Sequence, residues 1–238
     1  MAIISKPSPN FDERPDGRLP DMLIMHYTGM QTAAEAIERL CDAEAKVSAH
    51  YVVDEDGAVY QLVDEAHRAW HAGVSHWAGE DAVNNCSIGV EIVNPGHEWG
   101  YRRFPQAQMD AICILSMDIV KRHQIAPGRV LGHSDVAPSR KTDPGELFDW
   151  PRLAALGVGI WHNVAVPHDM AQMVSEDIAG LQKGLQNLGY GLQLTGELDV
   201  DTVAVLTAFQ RHWRPEAVHG RPDAHSIMVL RDLLSRLD

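Results

Sequence analysis

Met22-Leu23-Ile24-Met25-His26-Tyr27-Thr28-Gly29 is the stretch from which the rest of the chain can be placed. Its apolar run reads as a buried strand that delivers His26 to its end and stops at a Thr-Gly turn. Thr32 then opens a helix, with Glu35 three residues on as a capping box and Ala36, Ile37 and Leu40 on the apolar face. His50 to Val53 and Ala58 to Val63 flank Asp54-Glu55-Asp56-Gly57 and read as a hairpin. Residues 64–86 are rich in Trp, His, Gly and Asn without a period and read mostly as loop.

Ser87 to Val93 reads as a second buried strand, closed by Asn94-Pro95-Gly96. Met109, Ile112, Cys113, Ile119 and Val120 recur at helical spacing from Gln106 to about His123. Arg129 to Gly132 is a last short strand, and 133–147 a polar loop. Strand alternating with helix predicts an α/β domain with a mixed central β-sheet flanked by helices. After a short helix at Leu153–Leu156 the pattern becomes helical only: near Ser175–Leu188, Val200–His212, and from Asp223 as N-cap. The expected organisation is therefore a catalytic domain over 1–160, a linker over 161–171 and a small three-helix domain over 172–238.

The chain has 238 residues, with 33 acids against 20 bases and a formal charge of −13. That balance argues against a nucleic-acid partner, which needs a basic footprint, and lends no support to docking on an anionic membrane. No apolar run reaches the ~20 residues of a membrane span. Three cysteines, Cys41, Cys86 and Cys113, form no CxxC pair and read as buried free thiols. Met1 to Pro7 turns polar at once and lacks the regions of a secretory signal, so the expectation is a cytoplasmic protein.

Three side chains at or after strand ends could be metal ligands: His26, His133 and, across a Pro-rich loop, Asp143. Two imidazoles and a carboxylate are a common protein set for catalytic zinc, with a fourth position open to water. Spacing alone leaves the question open, because the chain holds 13 histidines. Glu91 shares a strand face with Ser87, Gly89 and Val93. A carboxylate there is either structural or a general base. Lys141, two residues before Asp143, is either a solvated loop lysine or a cation for an oxyanion.

The ordered strings His26-Tyr27-Thr28-Gly29, Ser48-Ala49-His50-Tyr51 and Ala69-Trp70-His71-Ala72-Gly73 resemble those of one family. Ser87-Ile88-Gly89-Val90-Glu91, Asn94-Pro95-Gly96, Gly132-His133-Ser134-Asp135-Val136-Ala137-Pro138 and Lys141-Thr142-Asp143-Pro144-Gly145 continue the match. Over roughly 5–160 the chain resembles the zinc-dependent N-acetylmuramoyl-L-alanine amidases of the type-2 amidase family. The resemblance implies His26, His133 and Asp143 as zinc ligands, Glu91 as the catalytic glutamate and Lys141 as the cation near the scissile carbonyl. Trp70, His71, Asn94 and Arg140 are candidate substrate contacts, and the expected partner is peptidoglycan or muropeptide. Leu181-Gln182 through Tyr190, Thr195 to Asp199, and Thr202 to Gln210 resemble a three-helix peptidoglycan-binding domain. A wall-binding module suits an envelope enzyme, so a cell-envelope location is the alternative to a cytoplasmic, monomeric recycling enzyme. Rival readings are a non-catalytic recognition module, a relative that binds a protein partner, and a zinc peptidase acting on D-Ala bonds.

Overall fold

The computed structural model describes residues 2–165 and 177–237. The expected linker from 166 onward, and the first residues of the helix expected near Ser175, lie outside that range. Among the described residues there are eight strands: β1 (Ile3–Ser5), β2 (Phe11–Glu13), β3 (Met22–Tyr27), β4 (Tyr51–Val53), β5 (Val59–Gln61), β6 (His67–Ala69), β7 (Ser87–Ile92) and β8 (Val130–Gly132). Six form one sheet in the order β1-β5-β4-β7-β3-β8, while β2 and β6 pair separately. Only the β4–β5 hairpin is antiparallel within the large sheet; β1–β5, β4–β7, β7–β3 and β3–β8 run parallel. The mixed α/β class expected from the sequence is therefore the one observed.

The helices are α1 (Ala33–Cys41), α2 (Gly96–Trp99), α3 (Gln106–His123), α4 (His133–Val136), α5 (Trp150–Ala155), α6 (Ile178–Leu188), α7 (Val200–Trp213) and α8 (Ala224–Leu234). Thr32 and Glu35 form the expected reciprocal capping box on α1, and the Asp223 side chain caps α8. Two expectations change. Residues 64–86 contain β6, and the segment after β8 begins with the helical turn α4 instead of a loop. Cys86 and Cys113 are buried, as expected, but Cys41 is only partly so.

Strand alternation separates the cores. Leu23 and Met25 of β3, with Ile88, Val90 and Ile92 of β7, pack on one side with Ile112, Leu115 and Ile119 of α3. On the opposite face Val52 joins Ala33 and Leu40 of α1, whereas Met22, Ile24 and Leu131 join the buried side chains of α6, α7 and α8. The C-terminal helices thus share a continuous core with the sheet. Between these two cores, at the carboxyl ends of the parallel strands β3 and β7, a gap opens. That is where open α/β sheets place ligands.

Candidate metal centre and active site

The parallel register sets His26 opposite Glu91, so both side chains leave the same face of the sheet at the end of neighbouring strands. His133 begins α4 immediately after β8, and the Ser134 N–H donates to the Asp143 carbonyl at 2.9 Å. These links draw three donor atoms together. His26 Nδ1 lies 2.9 Å from His133 Nδ1 and 3.1 Å from Asp143 Oδ2, and His133 Nδ1 lies 3.0 Å from the same oxygen. All three residues are buried.

The proton positions follow from the outer partners. His133 Nε2 meets the Ala72 carbonyl at 3.1 Å; a carbonyl only accepts, so Nε2 carries the hydrogen and Nδ1 offers a lone pair. His26 Nε2 meets His71 Nδ1 at 3.0 Å, and His71 Nε2 meets Ser87 Oγ at 3.1 Å. Donation can therefore run outward from His26 through His71 to Ser87, leaving His26 Nδ1 free as well. Burial, then the neighbouring His133, pushes the His26 imidazole down to about 4, so it is neutral. Two lone pairs and a carboxylate oxygen converging in a buried site form a donor set that fits a divalent zinc-like cation, and the Ala72 carbonyl and His71 hold the outer nitrogens of the two imidazoles as such ligands need.

Glu91 stands beside this triangle. Its Oε2 is sealed from solvent and has no hydrogen-bond partner among the described residues. Burial, reinforced by the Asp143 charge and opposed by Lys141, raises its carboxyl well above the usual range. A carboxyl with a raised pKa and an oxygen without a partner among the described residues, set in a cleft, suits a group that takes up and returns a proton. The cleft measures about 610 Å³, and its walls include Trp70, Trp99, Glu91, Arg140, Lys141 and Asp143.

The remaining sequence candidates divide. Trp70 lines the cleft, half-buried, with its indole N–H donating to Asp12 at 2.8 Å. Arg140 also lines it, donating to the carbonyls of Ala72 and Val74. His71 also borders the cleft, largely buried, and its ring backs the His26 imidazole. Asn94 is fully buried; its amide donates to the Arg102 carbonyl and accepts from the Gly96 N–H, which shapes the 94–102 loop. Gly89 makes room for this placement of His71. A Cβ there would sit 2.5 Å from the His71 ring, so only glycine leaves that ring its seat. Tyr27, Thr142 and His97 were missed at the rim, where the Tyr27 hydroxyl contacts Thr142 Oγ1 at 2.8 Å and His97 Nδ1 at 3.1 Å.

Comparison with known proteins bears on the same residues. Residues 16–146 match the family model described as N-acetylmuramoyl-L-alanine amidase. The chain is 33% identical over 231 residues to N-acetylmuramoyl-L-alanine amidase AmiD of Escherichia coli, covering 90% of this chain and 82% of that one. It is 32% identical over 167 residues to the 1,6-anhydro-N-acetylmuramyl-L-alanine amidase AmpD of Salmonella typhimurium, covering 63% of this chain and 87% of AmpD. The solved E. coli AmiD complex with anhydro-N-acetylmuramic acid-L-Ala-D-gamma-Glu-L-Lys superposes with a TM-score of 0.81 at 31% identity, covering 95% of this chain and 98% of that one. The family match spans more than half of the chain and contains the whole His26–Glu91–His133–Asp143 constellation, so the protein is a member of the N-acetylmuramoyl-L-alanine amidase family.

Proposed function

We propose that this enzyme hydrolyses the amide between the lactyl group of N-acetylmuramic acid, including its 1,6-anhydro form, and L-Ala of the peptidoglycan stem, with zinc held by His26, His133 and Asp143. The observation that carries the reading is the triangle of three convergent donor atoms beside Glu91, whose Oε2 has no hydrogen-bond partner among the described residues. Zinc bound there would supply Lewis acidity, lowering the pKa of water and polarising the lactyl carbonyl. Glu91 takes a proton from the attacking water and returns it to the L-Ala nitrogen as the C–N bond breaks. Lys141 places positive charge where the carbonyl oxygen gathers negative charge. His71 and the Ala72 carbonyl keep the two ligand imidazoles oriented.

Trp70 and Arg140 are assigned to the substrate wall, because both line the cleft without belonging to the donor triangle. The division into a catalytic domain (1–160), a linker (161–171) and a helical peptidoglycan-binding domain (172–238) is part of the same proposal. So are a monomeric state and a cytoplasmic role in recycling muropeptides. No helix among the described residues is long and apolar enough to cross a membrane.

The test is mass spectrometry of products from intact sacculi and from soluble anhydromuropeptides, with and without a chelator. Free stem peptides that the chelator abolishes are expected, with the soluble fragments preferred. Cleavage at D-Ala bonds would transfer the assignment to a peptidase. No cleavage of either substrate by zinc-loaded protein would leave a recognition module.

A further inference from the structure

The metal-ligand segment is held by the C-terminal part of the chain. Asp135 follows the proposed ligand His133 by two residues and is almost wholly buried. Its Oδ2 accepts the Gly132 N–H at 2.8 Å, which closes the turn that starts α4. The other bonds to this carboxylate come from the C-terminal part of the chain: the hydroxyl of Tyr190, just past α6, donates to Oδ1 at 2.7 Å and His212 Nδ1–H of α7 donates to Oδ2 at 2.6 Å. His212 cannot swing away. Its ring is stacked on Trp150 and on Trp213, at centroid distances of 3.8 and 3.7 Å. The adjacent residue of α7, Arg211, reaches Glu146 at 3.5 Å. Two consecutive side chains of α7 therefore grip both ends of the 132–146 segment that carries His133 and Asp143.

We propose that α7 and Tyr190 are positioning elements of the metal centre, so that the C-terminal helices set metal affinity through Asp135 as well as whatever they bind. The inference rests on the zinc reading above. A buried carboxylate with three donors is over-determined, and removing donors leaves it under-satisfied in a low-dielectric site. The turn must then shift to recover partners, and His133 shifts with it. Partners one layer outside the ligands govern metal affinity by ~10–100-fold.

The test is zinc affinity of the full chain, measured by competition with a chelator. The double variant Tyr190→Phe/His212→Phe keeps both aromatic rings and removes both donors; its zinc Kd is expected to rise ~10–100-fold. His212→Asn, which retains an N–H for Asp135, should bind more tightly than His212→Phe. Leu230→Ala, which opens a cavity within the helical core, should lower Tm and leave zinc affinity at the wild-type value. Should the double variant fail to fold, Tyr190→Phe alone is read, with an expected loss of about 3–10-fold. Unchanged affinity in the donor variants, equal weakness of His212→Asn and His212→Phe, or parallel weakening in Leu230→Ala each overturns the proposal, because each reduces the contact to plain docking. Wild-type protein that binds no zinc would overturn the functional reading itself, a result distinct from the other three.

Discussion

The two faces of β3 and β7 are made from alternate residues of the same strands, yet they obey different rules. Toward α3 the strands present Leu23, Met25, Ile88, Val90 and Ile92, all aliphatic or thioether, against Ile112, Leu115 and Ile119. Toward the cleft the same strands present His26, Ser87, Gly89 and Glu91, one pleat away. The first face is covered along its length by a helix, so every position can be closed by dispersion and loss of apolar surface. The second is covered at its flanks only, by α1 and by the C-terminal helices. In the gap between them polar side chains satisfy one another: His26 with His71, His71 with Ser87, Gly89 N–H with His50. Against α3 the five strand residues bring no polar side chain, whereas the networked face needs almost every one it has.

The largest expected effect breaks the packed face. Ile112 is fully buried, and Ile112→Ala should cost about 2–5 kcal/mol of stability in denaturant unfolding. If the faces are energetically separate, zinc affinity and kcat of the folded variant stay at wild-type values. Loss of zinc from protein that is still folded would show that the apolar face holds the ligand geometry.

Glu91→Gln probes the networked face at its least satisfied atom. The rate should fall at least ~10²-fold, the usual scale for an acid–base group, with zinc stoichiometry unchanged. Stability should move the other way. Burial raises the folded-state carboxyl pKa well above the usual value, so the native state holds a proton that the unfolded chain releases near pH ~4.3. Stability is therefore lost as pH rises from that unfolded value through the raised one. The neutral amide removes that loss, and metal-free Glu91→Gln should melt higher than wild type at pH 7. Near-normal turnover would remove Glu91 from the mechanism; a lower Tm would mean that the carboxyl is better satisfied than its geometry implies.

How far the sequence made this legible also differs between the faces. The long runs of β3 and β7 and the helical spacing of α3 carry enough residues for a period to declare itself. The three-residue strands β1, β2 and β6 carry too few: Phe11–Glu13 and His67–Ala69 become strands by pairing with each other across more than fifty residues of sequence. In the site, the shared pleat of Gly89 and Glu91 was readable, as was the arrival of His26 at a strand end. Two partnerships were not. His71 lies in an aperiodic segment, and from sequence alone an aromatic-rich loop reads as a ligand wall without showing that one of its rings also backs a buried imidazole. Asp135 meets Tyr190 and His212 only because residues 55 and 77 positions away fold back onto its turn, and no local pattern encodes that meeting.

Proton counting sharpens the comparison further. His50, just before β4, is fully buried. Its Nδ1 accepts the Gly89 N–H at 3.0 Å, which places the ring hydrogen on Nε2, facing the His67 carbonyl at 3.1 Å. Burial first and the Arg14 guanidinium second push this imidazole down to about 3, against the carbonyl of His67 and the charges of Glu65 and Asp64. The folded state thus refuses a proton that the unfolded chain binds below ~6.5. Stability falls as pH drops from that value toward about 3, by ~1.4 kcal/mol per pH unit for this one group. His50→Gln should remove one proton's worth of slope from the stability–pH curve between pH 6 and 4, whatever it does to stability at pH 7. The equivalent measurement on Ile112→Ala should displace the curve and leave its slope intact, because the packed face contributes no protons to the balance. A slope unchanged in His50→Gln would mean that the His50 ring takes up its proton while folded, with the Arg14 side chain moving to admit it.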